Sequence, residues 1–401
     1  MHFPVFAGTA VDHGPFVFAG DRNNTFGRIP LKKICHVTSA HPPEDGRIFR
    51  RECVSAAKAG YETYLVEQGD TYDKNGVHIV GLGKPEKPGR LFRMTVFARK
   101  AYDAAKAVDA DLYHFHDPEL LPYALKLKKE GKAVVFDSHE DYIEQIRFKP
   151  YLPKIAALGA SIWFSRYSDR IFSKIDGLVY PGNDDFPSAY AGKCKNVVSI
   201  DNVPWLNELY DKYEPDTVRE PNTACYLGGL DEARGITQII KACHRANCKL
   251  YLAGRFSSEA YENSLREMPE FSCVEYLGVL DRARVTELLQ KTQIGLCCLL
   301  DIGQYYKMIN LPTKVYEYMS MAVPVVVNNS PYNEKACREL EIGLSADPMD
   351  IEGLNSAIRS LLDDPAKRKE FGENGRRAIC ERFCWDIEQK KLISMYDTIL
   401  G

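Results

Sequence analysis

Short apolar runs recur along this chain, each followed by a stretch whose apolar positions fall at helical spacing. The first clear run is KICHVT at Lys33–Thr38, and a helix is expected over Arg47–Ala59. Strand-like Tyr61–Val66 follows, then a helical Gly89–Val108, a strand at Asp111–Phe115, a helix at Pro118–Lys129 and a strand at Ala133–Phe136. Buried strands alternating with helices across short turns predict βαβ units and a parallel sheet. The alternation pauses at 151–175, where a long helix carries Trp163, Phe164, Tyr167, Ile171 and Phe172 among Lys154, Arg166, Arg170 and Lys174. It resumes at Gly177–Tyr180 and Asn196–Ile200.

A second series begins after a stretch punctuated by Pro204, Pro215 and Pro221, which reads as a linker. Its strands are expected at Ala224–Leu227, Lys249–Ala253, Cys273–Leu277, Ile294–Leu299 and Val323–Val327. Gly353–Asp364 is an amphipathic helix, with Leu354, Ala357, Ile358, Leu361 and Leu362 on one face. Asp364-Pro365 is expected to break it, and Trp385–Leu400 forms a last amphipathic helix. The predicted architecture is α/β with two Rossmann-like, doubly wound domains facing a cleft. The expected divisions are a leader at 1–30, a first domain at 31–203, a linker at 204–222, a second domain at 223–384, and a C-terminal helix at 385–401 that packs back on the first domain. Open α/β sheets bind ligands at the carboxyl ends of their strands, so two substrates could meet in the cleft.

Composition narrows the class. The 401 residues exceed one ordinary core, and 45% hydrophobic with 27% charged residues is an ordinary globular balance. A net charge of −3 gives no reason to expect nucleic acid as a partner. No apolar run has spanning length, and the start lacks a basic segment followed by an apolar one, so a cytoplasmic protein is expected. Twelve cysteines without any CxxC read as reduced core residues, and no ligand spacing suggests a metal. Residues 1–30 show no sustained period and read either as a disordered arm or as an artefact of start-site choice.

The stretch with the most chemistry is NLPTKVYEYMSMAVPVVV at 310–327. Pro312 suits a helix start, and Lys314 and Glu317, three apart, share a helix face. A cation and a carboxylate placed so can grip a phosphate and a sugar hydroxyl; the plainer reading is a capped helix with an ion pair. ACYLGGLDEARGI at 224–236 reads as strand, Gly228-Gly229 turn and helix, with Arg234 beside the turn; glycines admit a ligand close to the backbone and a helix N-terminus faces an anion. Arg255 ends the next strand and could line a base or phosphate pocket or lie in solvent. At three strand ends of the first half stand His41, Asp45 and Arg47, then His114 and His116 on one face, then His139 and Glu140.

These segments resemble, in order and position, family 4 retaining glycosyltransferases of the GT-B fold. The form Pro312-Thr313-Lys314-x-x-Glu317-Tyr318-Met319 resembles a branch acting in surface polysaccharide assembly, as does the His41-Pro…Asp45-x-Arg47 loop. The resemblance covers roughly residues 33–398. It implies transfer of a sugar from a nucleotide diphosphate sugar, UDP- or GDP-linked, to a hydroxyl of a lipid-linked oligosaccharide or polysaccharide precursor, with no metal and no further cofactor. It implies Gly228, Gly229, Arg255 and Glu317 as donor-binding, with Glu317 on the ribose hydroxyls. Arg234 and Lys314 would neutralise the diphosphate, His116 would lie near the reacting sugar, and His41, Asp45, Arg47 and His139 would stand on the acceptor side. The family's first Glu of a Glu-x7-Glu pair is Ile309 here, which puts sugar identity in doubt. The rivals are a GT-B nucleotide-sugar epimerase or phosphorylase and a non-catalytic partner subunit; a Rossmann dehydrogenase lacks its GxGxxG turn. The helix at 151–175 could also dock on an anionic membrane surface, making the protein peripheral on the inner face.

Overall fold

In a computed structural model of the protein, the first half is built on strands β1 (Lys33–Val37), β2 (Glu62–Glu67), β3 (Tyr72–Lys74), β4 (Val77–Gly81), β5 (Leu112–Phe115), β6 (Ala133–Asp137), β7 (Gly177–Tyr180) and β8 (Asn196–Ser199). The structure describes residues 31–87, 89–138, 142–147, 153–182, 190–302 and 308–401. The leader at 1–30, and His139 and Glu140, therefore lie outside the described residues. The strand order is β3-β4-β2-β1-β5-β6-β7-β8, parallel throughout except for β3. The β3–β4 hairpin turns on Asn75-Gly76, both at positive φ (53° and 79°), the conformation a two-residue hairpin loop demands.

The second half carries β9 (Thr223–Leu227), β10 (Lys249–Ala253), β11 (Val274–Gly278), β12 (Ile294–Cys297), β13 (Val325–Asn328) and β14 (Gly343–Ala346). They form one parallel sheet in the order β11-β10-β9-β12-β13-β14. Each sheet thus has a point where the winding reverses, between β1 and β5 and between β9 and β12. Strand ends splay apart at such points and leave a crevice.

Several predicted boundaries move. Asp364-Pro365 ends one helix, Ile351–Leu362, but also starts the next: Asp364 accepts a hydrogen bond from Lys367 N, and Pro365 begins Pro365–Glu381. An acceptor side chain followed by proline at the first helical position is a start signal as much as a stop. Pro312 is the residue before the helix Thr313–Ser320, not its first turn.

Lys32–Gly401 forms a single unit, and its halves share one apolar interior. The segment between the sheets is not loose. Of its turns, Leu206–Glu208 is tied to the last helix by Leu206 N donating to Asp386 Oδ2 (3.1 Å), and Tyr210–Lys212 is held by Arg376, which donates to the carbonyls of Tyr210 and Ser320 and stacks 3.8 Å over the Tyr210 ring. The last helix, Trp385–Leu400, lies against the first half: Trp385 donates from Nε1 to Ser55 Oγ (2.8 Å), and Tyr396 OH is 2.7 Å from His114 Nδ1. No disulfide forms among the twelve cysteines.

Candidate functional site

The turn after β9 sits at the reversal point of the second sheet. Gly228 has φ 129°, and a Cβ there would stand 3.2 Å from Lys314 Nζ and 3.8 Å from Arg234 Nη1. Only a residue without a side chain lets both cations close on this turn. A Cβ on Gly254 would meet the Gly228 carbonyl oxygen at 1.7 Å, so the next strand end is small for the same reason. Lys314 is nearly buried. Its Nζ donates to Tyr226 OH (2.8 Å) and lies 4.1 Å over that ring, while Tyr226 OH donates to Gly229 O (3.0 Å). Arg234 is held by Asp231, whose carboxylate takes Arg234 N at 3.0 Å and Nε at 3.0 Å. The sequence reading named Gly228, Gly229, Arg234 and Lys314 separately; the structure brings them together.

Glu317 stands on the same helix as Lys314, with its carboxylate bound by Arg282 Nη1 at 2.5 Å. Arg282 also holds Glu208 (2.5 Å), whose other oxygen lies 3.6 Å from Arg51. A chain of charge thus runs from the second sheet through the connecting segment to the first half. Arg255 is exposed, and its backbone carbonyl accepts from Leu230 N (2.9 Å). Ile309 packs its Cδ1 at 3.1 Å from the Cβ position of Gly182, just past β7 of the first half.

At the reversal point of the first sheet, the loop after β1 closes on Asp117 after β5. Asp117 Oδ2 accepts from Thr38 Oγ1 (2.8 Å), Ser39 N (2.6 Å) and Ala40 N (3.2 Å), and Oδ1 is 3.2 Å from His41 Nδ1. Burial disfavours the carboxylate, yet His41 and these donors outweigh it and hold the Asp117 pKa below its usual range. Burial likewise opposes the His41 cation, and Asp117 reverses the sign, so the His41 pKa is raised.

Arg47 and Asp45 are engaged within the first half. Asp45 Oδ1 accepts from Arg47 N (2.8 Å) and Ile48 N (3.0 Å), capping the helical turn Ile48–Cys53. Arg47 is buried, forks onto Asp137 (2.9 and 3.2 Å), touches Glu52 at 3.0 Å and donates to Ile200 O. His116 is fully buried, with Nε2 3.0 Å from His36 Nδ1, and burial lowers its pKa. His36, Glu52, His114 and His116 bring possible metal-ligating atoms within 4.8 Å of one another, a set that the sequence spacing hides. Glu52 is shared with Arg47, and burial beside Asp137 raises its pKa.

Beside His41 and Asp117 opens a cavity of about 1520 Å³. Met94, Ile146, Trp163 and Phe164 give it apolar walls, and Lys84, Lys87, Arg90 and Arg93 bring cations. Sequence reasoning missed Asp117, Glu52, Asp137, Tyr226 and Arg282. For Asp117 a signal existed: an acidic residue just before proline, two past the end of β5 and next to His116.

Known proteins share this fold. Residues 211–378 match the model of the family "Glycosyl transferases group 1". A glycogen synthase of Mycobacterium tuberculosis (strain CDC 1551 / Oshkosh) is 24% identical over 248 residues, 58% of this chain and 55% of that protein. The capsular polysaccharide biosynthesis glycosyltransferase CapM of Staphylococcus aureus is 23% identical over 209 residues, 48% of this chain and 50% of that one. The chain thus spans about half the length of the curated relatives it matches. Anabaena HepE, solved with UDP and glucose, superposes with a TM-score of 0.69 at 12% identity, covering 92% of this chain and 100% of that one. Residues 211–378 thus match the glycosyl transferases group 1 family, and the chain has the GT-B fold.

Proposed function

We propose that the protein is a retaining glycosyltransferase that moves a sugar from a nucleotide diphosphate sugar, UDP- or GDP-linked, to a hydroxyl of a lipid-linked oligosaccharide or surface polysaccharide precursor. The observation that carries this reading is the closure of Lys314 and Arg234 over Gly228 at the reversal point of the second sheet. Two cations on a side-chain-free turn suit a diphosphate, and their charge is worth most as the leaving group departs. The N-terminus of Thr313–Ser320 adds its backbone N–H groups. Glu317 would accept hydrogen bonds from the ribose hydroxyls, exchanging its contact with Arg282. HepE, solved with UDP, supports a nucleotide here by analogy of fold.

The acceptor reading rests on the cavity in the first half. Apolar walls with a cationic side suit an amphiphile whose head is anionic. CapM, named for capsular polysaccharide biosynthesis, points to the same class. Retention, the cytoplasmic placement and a peripheral position on the inner membrane face come from the family resemblance and belong to the same proposal. The test is a panel of UDP and GDP sugars with lipid-linked acceptors, scored for released nucleoside diphosphate and for anomeric configuration of the product. Release that requires both donor and acceptor supports transfer; absence of release with every donor rejects it.

A further inference from the structure

We propose that Arg282 is an internal competitor for the ribose site: it holds Glu317 when no nucleotide is bound, yields it to the vicinal hydroxyls, and reclaims it as the nucleoside diphosphate leaves. The inference rests on the transferase reading above. Glu317 lies three residues beyond Lys314 on Thr313–Ser320, and its side chain is 14% exposed. Two vicinal hydroxyls that donate to one carboxylate occupy both of its oxygens. Oε1 already accepts from Arg282 Nη1 at 2.5 Å, so a ribose that takes both oxygens displaces the guanidinium.

Arg282 leaves Glu317 without losing its second anionic partner. Its Nη2 donates to Glu208 Oε2 at 2.5 Å, through the other arm of the fork. Glu208 sits in the turn Leu206–Glu208 of the connecting segment, and its Oε1 stands 3.6 Å from Arg51 Nη2 of the first half. Arg51 is fixed in turn by Nη1, which donates to Gly46 O (3.2 Å) and Asn202 Oδ1 (3.3 Å). The charges therefore alternate along Glu317, Arg282, Glu208 and Arg51, and each cation is shared. Without Glu208, the guanidinium belongs to Glu317 alone and its competition with ribose grows. Without Arg282, the competition ends. The two removals should move nucleotide affinity in opposite directions, which a loss of packing would not do. The backbone at this point does not depend on the arginine side chain: Asp281 caps Arg282–Lys291 by accepting from Arg284 N (2.9 Å). The Arg282 side chain is 44% exposed, so the contact has the modest strength of a solvent-facing pair, weak enough for a ligand to break. A site that refills itself in this way sheds its product more readily, a gain wherever release limits turnover.

The test is the dissociation constant of UDP and of GDP by calorimetry, in the wild type, in Arg282→Ala, in Glu208→Gln, and in each again with Glu317→Ala. A diphosphate also feels the charge of Arg282 at long range, and that pull is the same in both backgrounds. The difference between backgrounds isolates the contact with Glu317. Relative to its effect in Glu317→Ala, Arg282→Ala should bind the nucleotide about two- to fivefold tighter, and added nucleoside diphosphate should inhibit transfer more strongly. On the same comparison Glu208→Gln should bind it more weakly, by a similar factor. An Arg282→Ala variant that binds more weakly with Glu317 present, or shifts equally in both backgrounds, overturns the competition and leaves the transferase reading intact. Wild-type affinity for both nucleotides in Glu317→Ala overturns the ribose assignment and the competition with it. Absence of binding of UDP and GDP by the wild type overturns the donor site itself.

Discussion

Arg282 Nη1 and Glu317 Oε1 stand 2.5 Å apart, so the carboxylate assigned to the ribose is already engaged by a cation from the neighbouring helix Arg282–Lys291. Burial alone would lower the Arg282 pKa; Glu317 and Glu208 outweigh it and raise it. The pair sets the orientation of Glu317 before a nucleotide arrives. Glu317→Ala should weaken nucleotide binding by about 1.5–3 kcal/mol, the range of hydrogen bonds to a charged group. Calorimetry with UDP and GDP measures it, and unchanged affinity for both rejects the assignment.

Lys314 and Arg234 should act on turnover rather than on binding alone. Lys314→Met keeps most of the packing against Tyr226 and removes the charge. Either Lys314→Met or Arg234→Ala should lower kcat by roughly two orders of magnitude or more, the scale of a lost transition-state donor. If only KM rises and kcat at saturation is intact, these cations bind the ground state and nothing more.

His116 is predicted to be chiefly architectural. It is buried against His36, near Asp137 and Glu52. His116→Ala leaves a hole lined by polar groups and should cost about 2–4 kcal/mol of stability. Chemical denaturation reads this as a lower midpoint. A variant of wild-type stability with transfer abolished would return His116 to a catalytic role.

Glu67 gives a pH signature. It is almost fully buried, accepts from Glu44 N, and burial pushes its pKa up to about 7. A carboxyl whose folded pKa is raised binds its proton more tightly when folded. Its stabilising proton is present below the unfolded pKa near 4.5 and lost as pH rises through about 7. Glu67→Gln should therefore reduce the fall in Tm between pH 5 and pH 8. An equal fall in both proteins removes Glu67 as its source.

The helix Lys154–Phe172 presents Ile155, Leu158, Ile162 and Trp163 to solvent, at 88%, 51%, 42% and 65% exposure, while Phe164 packs inward near Tyr142. Among the described residues no helix is long and apolar enough to cross a membrane. An apolar stripe at this spacing, near Arg90 and Arg93, suits a helix lying on an anionic surface. Flotation at low salt should carry more protein with anionic than with neutral vesicles, and Ile155→Glu with Trp163→Glu should remove the difference. Equal recovery in the unbound fraction with both lipids leaves the helix a packing role.

Much of this fold is legible in the sequence because each buried strand is a continuous apolar run with a helix behind it. Lys33–Val37 and Ile294–Cys297 announce themselves in this way. The β3–β4 hairpin escapes because three- and five-residue strands carry little period, although Asn75-Gly76 is a strong turn signal. The donor turn is legible because its glycines, Arg234 and Lys314 belong to segments with local patterns. The contact of His41 with Asp117 is not. His41 and Asp117 are far apart in sequence, and only the parallel pairing of β1 with β5 places both strand ends together. The sequence reading sets His116 near the reacting sugar and His41 on the acceptor side; of the two, His41 is the one that keeps exposed surface.

The last helix gives the two halves a second crossing. The chain passes from the first sheet to the second near Ile200–Asn222, and returns at Trp385, whose N–H bonds Pro204 O (2.8 Å) beside the outgoing strand of chain. Two crossings side by side tie the halves together at two points rather than one. Tyr396 then ends this return path against His114 and His36, within the buried histidine set beneath the first sheet. A fusion or truncation at the C-terminus would thus be felt in the first half, at the far end of the chain from where it was made.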